Sequence, residues 1–136
     1  MALTEDAPLT LEHGDIGELP VVASDIIYEG SAVGDNASGY ARPLVAADPF
    51  LGMAERKADN SAGAAGDKNV RVIERGKVVV SVTGVTGVGD VGTLVYASDE
   101  NTFTLTLTGN TLIGKIVRFI SGTQVVVAFK SSALPD

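Results

Sequence analysis

Between residues 77 and 129 the chain is a succession of short β-branched runs, KVVVSV, GTLVYA, TFTLTLT, GKIVRFI and QVVVAF, each closed by glycine or by an Asp/Asn/Ser cluster. Runs of that length with that punctuation read as strands joined by short turns. TFTLTLT has the cleanest period: Phe103, Leu105 and Leu107 alternate with Thr102, Thr104, Thr106 and Thr108. One face of such a strand is apolar and the other hydroxylic. The same reasoning predicts strands over residues 21–23, 25–29, 40–46, 50–54, 70–74, 77–82, 93–97, 102–108, 115–120 and 124–129. Turns are predicted at Glu29-Gly30, Arg75-Gly76, Ser98-Asp99-Glu100-Asn101, Thr108-Gly109-Asn110 and Ser121-Gly122. Residues 59–67 alone are long and small enough for a mobile loop or a short helical turn, and no amphipathic helix of three turns is present. The expected fold is all-β, a compact antiparallel β-barrel or β-sandwich with short glycine turns.

Residues 1–20 break this pattern. Pro8, Gly14, Gly17 and Pro20 separate isolated apolar residues at Leu3, Leu9, Leu11, Ile16 and Leu19, a spacing unsuited to a helix. They read as an extended arm, acidic and able to settle its leucines on another surface or back on the domain, ahead of a single β-rich domain over 21–136.

Charge sharpens that division. Residues 1–41 hold eight acids and no Lys or Arg, and residues 42–136 hold nine acids and ten bases, for a net charge of −7. An acidic chain lacks the cation cluster that releases counterions from nucleic-acid phosphates, so direct DNA or RNA binding is disfavoured. The arm reads either as a solvated acidic tail or as a segment that docks on a basic surface. Its candidate contact residues are Glu5, Asp6, Leu9, Leu11, Glu12 and Asp15. The main basic concentration, Arg56, Lys57, Arg71, Arg75 and Lys77, reads either as ordinary solvated charge edging a sheet or as a contact surface for acidic partners, this arm included.

With 136 residues the chain has the size of one domain, and 45% hydrophobic against 20% charged residues places it among ordered globular proteins. Aromatics are only 5%, so the core must be mostly Val, Ile, Leu and Ala. There is no cysteine, so disulfides and thiolate zinc sites contribute nothing. The first 20 residues lack the basic and apolar regions of a secretory signal, and no run reaches the roughly 18 apolar residues of a membrane helix. The expectation is a protein that is not exported by that route and has no membrane partner.

Candidate chemistry is sparse. Gly87-Val88-Gly89-Asp90-Val91-Gly92 matches the spacing of the dinucleotide fingerprint, but strand-forming Thr93-Leu94-Val95-Tyr96 follows where a helix would have to begin, and Asp90 would repel a phosphate. It reads as a glycine turn. His13 is the single histidine, and with no cysteine and no motif of clustered carboxylates neither a catalytic triad nor a conventional zinc site has a basis; it reads as a surface histidine. Asp99-Glu100 falls at a predicted hairpin tip, and Asp67-Lys68-Asn69 lacks the other ligands of a calcium loop. No cofactor and no enzymatic activity are expected. A faint echo between Gly34-Asp35…Phe50-Leu51-Gly52 and Gly89-Asp90…Leu112-Ile113-Gly114 is consistent with a duplication or with the recurrence of glycine turns.

The segments YEGSAVGDNASGYARPL, FLGMAERKADNSAGAAGDKNVRVIERGKVVVSV and VGTLVYASDENTFTL…LIGKIVRFISGTQVVVAF, in that order, resemble the bacteriophage capsid decoration or cement proteins. The resemblance covers residues 28–129 and leaves the arm outside. It implies a non-enzymatic virion protein, a homotrimer made in the bacterial host cytoplasm, that binds the major capsid protein on the outer face of the shell and stabilises contacts between capsomers. Two other readings stay open. One is a phage tail or head-surface receptor-binding module recognising host polysaccharide, disfavoured by the absence of Trp and by having only three Tyr and four Phe. The other is a β-barrel enzyme such as a carboxylate hydrolase, disfavoured by the scarcity of His and Cys.

Overall fold

In the computed structural model, residues 4–6 and 14–135 are described, and they form an all-β chain. Twelve strands succeed one another among the described residues: β1 (Ile16–Pro20), β2 (Asp25–Ile27), β3 (Ala32–Asp35), β4 (Ala41–Pro43), β5 (Phe50–Ala54), β6 (Ala58–Asn60), β7 (Asn69–Ile73), β8 (Arg75–Thr83), β9 (Leu94–Asp99), β10 (Thr102–Thr104), β11 (Thr111–Ser121) and β12 (Gln124–Lys130).

The first half builds an antiparallel sheet in the order β1-β7-β5-β3-β4, with β2 and β6 as a separate two-stranded ribbon. Just past β1, Val21 bridges Ala41 of β4, and Val22 N–H donates to the Ala41 carbonyl at 2.9 Å. The sheet therefore rolls until its two edge strands approach each other. Inside lie Val21, Ile27, Val33, Ala41, Val70 and Val72, all fully buried and mostly small. The strands alternate as period-two burial requires: Val70 and Val72 face the sheet's interior, while Arg71 and Ile73 take the other face, both half-buried, with Ile73 packed against the barrel core.

The second half closes into a five-stranded barrel, β10-β8-β12-β11-β9. Val82, Val95, Ile113, Ile116, Val125, Val127 and Phe129 fill it, together with Ala32, Leu44, Phe50 and Met53 from the sheet. One core is thus shared between the two bodies. Phe50 meets Phe129 edge to face, with ring centroids 6.1 Å apart at 83°, an arrangement that adds about 0.5–1.5 kcal/mol to the burial itself. A polar stitch lies beside it: Thr111 Oγ1 on β11 donates to the Asp48 carbonyl at 2.7 Å. The Asp48 carboxylate takes a bidentate hold on Arg42, at 2.9 Å from Nε and 2.7 Å from Nη2, and accepts Val45 N–H at 3.0 Å.

Several expectations change. Residues 16–20 are a strand of the sheet, so the arm can extend no further than residue 15. Pairing with β7 extracts them from the arm: Leu19 opposes Val70, and Gly17 opposes Val72 beside the Glu74 carboxylate. Because β1 flanks β7, Arg71 lies on an interior strand opposite Glu18 and does not edge the sheet. Arg75-Gly76 is no hairpin turn. The chain breaks at Glu74 and passes there from sheet to barrel, Gly76 already opposing Phe129. The run 102–108 stops as a strand at Thr104, whose hydroxyl accepts Thr106 N–H at 3.2 Å, a local bond that competes with the ladder. Leu105 still reaches the core, but Leu107 is exposed. Residues 58–60 are a strand that takes the first two positions of the expected loop, and Asn60 is buried there, its amide donating to the Val22 and Ala64 carbonyls at 3.0 Å each. The barrel closes through one parallel pairing, β10 with β8. Gly34-Asp35 lies in a strand and Gly89-Asp90 in a 3-10 turn, so the internal echo is no structural duplication.

Candidate interaction surface

A closed barrel has no backbone edge to offer, so what it presents is the outer ends of its side chains. On β8 and β12 alternation sends Val78, Val80, Val125 and Val127 inward and Lys77 and Val79 outward, with Ala128 half-buried and Val126 buried on the outer side. On β11 the inward positions are Ile113, Ile116 and Phe119, three apart, because the register against its neighbours shifts at three places. Each shift inserts an extra residue on the outside, as β-bulges do. The outer face therefore gains Leu112, Lys115, Val117 and Arg118 from one strand.

Register then sets these groups in rows. Lys77, Ala128, Lys115 and Leu94 lie side by side across β8, β12, β11 and β9. Val79, Val126 and Arg118 form the adjacent row. The surface is apolar as well as cationic: Val79 is 53% and Leu112 51% exposed. At one side it dips into an open groove of about 730 Å³. Gly114 and Ala128 line it beside Leu94, Leu112 and Lys115, with Arg75 and Leu134 also on its boundary. Gly114 is required there, because a Cβ would lie 2.0 Å from the Ala128 carbonyl oxygen. The tail after β12 is fixed: Ser131 N–H donates to the Glu74 carbonyl and Ser132 N–H to the Phe50 carbonyl, both at 2.7 Å.

The expected basic concentration is divided by the crossover at Glu74. Arg71 Nε pairs with Glu55 Oε2 at 2.9 Å, off the line of a good hydrogen bond, and Arg56 lies 3.6 Å from the same carboxylate. Lys57 sits over the Tyr28 ring, 5.4 Å from its centroid. Those three belong to the sheet. Arg75 and Lys77 belong to the barrel face, joined by Lys115 and Arg118, which the sequence reading passed over. The signal that could have found them is the three-residue spacing of Ile113, Ile116 and Phe119, which period two cannot accommodate.

Of the arm candidates, Glu5, Asp6 and Asp15 are exposed. Leu9, Leu11 and Glu12 lie outside the described residues, as does His13. The Asp15 carbonyl accepts the Glu74 N–H at 2.5 Å.

The fingerprint-like glycines form a 3-10 turn, Val88–Asp90, between β8 and β9. Asp90 Oδ2 accepts Thr86 N–H at 2.7 Å and Gly87 N–H at 3.2 Å. The Thr86 and Gly87 N–H groups hold the Asp90 carboxyl below the usual carboxylate range. Amides that would cradle a phosphate are thus already occupied by a carboxylate. Among the described residues no cluster of three or more His, Asp or Glu is arranged to hold a metal, and no helix is long and apolar enough to cross a membrane.

No protein-family model, curated protein or solved structure matches the chain.

Proposed function

We propose that the chain is a structural virion protein of the capsid decoration class, a homotrimer that binds the outer surface of an assembled phage shell and bridges its capsomers. The observation that carries this reading is the barrel's outer face, where Val79, Leu94, Leu112 and Val117 stand exposed among Lys77, Lys115 and Arg118. Exposed apolar groups interleaved with cations suit a protein contact rather than a catalytic cleft. A cyclic trimer would bury such faces and repeat each weak capsid contact three times, gaining avidity from one body. The function on this reading is mechanical, with no reaction and no cofactor. The order of sequence segments over residues 28–129 agrees with it.

The test is solution mass by light scattering, followed by co-sedimentation with expanded empty capsids. A trimer that pellets with the shell supports the proposal, and a monomer left in the supernatant overturns it. Replacing Leu9 and Leu11 with Ser is expected to weaken pelleting and leave the trimer intact.

One observation favours the polysaccharide-binding alternative. Tyr28 is 58% exposed at a depression shared with Glu29, Glu100 and Asn101, a pairing of ring and hydrogen-bonding groups suited to a sugar. Binding of host polysaccharide that is lost in Tyr28→Ala would move this reading to first place.

A further inference from the structure

We propose that the depression where the β2–β3 turn meets the β9–β10 turn receives an arginine side chain of a partner protein, its guanidinium set against Tyr28 and bonded to Glu29, Glu100 and the Ser31 hydroxyl. The walls of this depression are fixed by main chain. Gly30 N–H donates to the Ala54 carbonyl at 2.9 Å, Ala54 N–H to the Ser31 carbonyl at 2.8 Å, and Ala32 N–H to the Glu100 carbonyl at 2.9 Å. The last bond ties a turn of the sheet to a turn of the barrel, so the two sides of the site keep their spacing.

Three observations converge on a cationic, planar ligand. The first is Ser31, which lines the depression and is only 7% exposed. Its N–H donates to the Tyr28 carbonyl at 3.1 Å and its carbonyl is taken by Ala54, yet among the described residues its hydroxyl has no hydrogen-bond partner. Buried hydroxyls are normally paired, so this one marks a place where a polar group binds. The second is charge. Glu29 and Glu100 line the depression, and among the described residues no Lys or Arg does. A phosphate or an acidic sugar would be repelled there, whereas a cation gains from both carboxylates. The third is the ring. Tyr28 is 58% exposed and already draws one cation, the Lys57 ammonium 5.4 Å from its centroid. A guanidinium competes for such a ring with advantage, being flat, more weakly hydrated than an ammonium, and able to fork its five donors between two carboxylates.

The size of the site points to a side chain carried by a protein. A volume of about 280 Å³, open to solvent, takes the head of one side chain. A free small cation would bury few atoms there and gain little, but an arginine presented on a protein surface adds its bonds to the contacts around it. The inference goes beyond the decoration reading and does not rest on it, because capsid pelleting tests that reading without reference to this depression.

The experiment titrates the full chain, labelled with nitrogen-15, with blocked arginine (N-acetyl-arginine methylamide) and follows the Gly30, Ser31 and Asn101 amides by NMR. Saturable shifts at these amides are expected, with blocked citrulline, the neutral isostere, at least about tenfold weaker, since bonds to charged groups are the strong ones. Glu100→Gln and Tyr28→Ala are each expected to weaken arginine binding several-fold, with the remaining amide spectrum showing that the fold persists. Glu29→Gln, at an exposed position, repeats the measurement if the Glu100 variant folds poorly. An absence of saturable shifts, an equal response to citrulline, or indifference to the Glu and Tyr substitutions would each overturn the proposal. So would a stronger response of the same amides to methyl glucoside, which would give the depression to a sugar.

Discussion

The rolled sheet and the barrel solve the same problem, burial of short strands, in different ways. Strands of the sheet have three to five residues, and polar side chains bind its turns: Asp48 clamps Arg42 and Val45, Asn60 pins the loop behind β6, and Asp35 and Asn36 each accept two amides across the β3–β4 turn. Strands β8, β11 and β12 of the barrel have 9, 11 and 7 residues, and closure lets the backbone ladder and a valine-rich interior do the same work. The barrel's side-chain hydrogen bonds gather at its ends, as between Ser81 and Thr123. Fewer large apolar groups are exposed on the sheet half, Ile16, Tyr28 and Val45, than on the barrel half. Closure leaves the barrel free to carry apolar groups outside as well as inside, and that is why the candidate interface is there.

The largest test of the comparison is at two glycines. A Cβ at Gly52 would lie 2.4 Å from the Ile73 carbonyl oxygen, at a φ of 130°, and one at Gly114 lies closer still to a carbonyl on β12. Gly52→Ala and Gly114→Ala are each expected to cost more than about 4 kcal/mol or abolish cooperative unfolding in denaturant, since only main chain could yield. A milder result at Gly52 would mean that the sheet relaxes where the barrel cannot.

Next in size is Phe129→Ala, expected to cost about 3–5 kcal/mol. Because Phe129 abuts Phe50, hydrogen exchange should speed up in β5 as well as in β12. Exchange that rises in the barrel alone would separate the two bodies into independent units.

Asp48→Ala comes third. It strands Arg42 and loosens Val45, at about 1–3 kcal/mol by the usual cost of unpaired groups, and toward the lower end because the Arg42 side chain is 35% exposed and partly screened. Burial pushes the Asp48 carboxyl up, but the Arg42 hydrogen bonds, the Val45 N–H and the Arg42 charge together hold it below its usual value. A carboxyl lower in the folded state stabilises the fold above the unfolded value of about 3.9 and loses that contribution as pH falls through the folded one. The stability gap between parent and Asp48→Asn should therefore narrow below about pH 4 in denaturant titrations.

Smallest in stability is the outer barrel face. Val79→Ser with Leu112→Ser should stay within about 0.5–1 kcal/mol of the parent, since both side chains already meet water. Light scattering should nevertheless show weakened self-association. Unchanged mass would remove the barrel face as the contact of the proposed trimer.

Much of this molecule follows from local pattern. Alternation and glycine punctuation are properties of neighbouring residues, so the all-β class, strands β5, β8 and β12, and the glycine turn at Asp90 were legible from sequence. Strands β1, β3 and β6 were not, because IGELP, AVGD and ADN are too short or too mixed to declare themselves without partners. Partners are chosen by closure over long sequence separations: β1 makes β7 interior, Glu74 divides the basic residues between two bodies, and the β11 register shifts turn Leu112 and Lys115 outward. The sequence determined that the chain would make strands and where most would turn. The tertiary structure decided which strands meet and which face each side chain takes, since a one-residue shift in pairing reverses a strand's faces without changing a letter of its sequence.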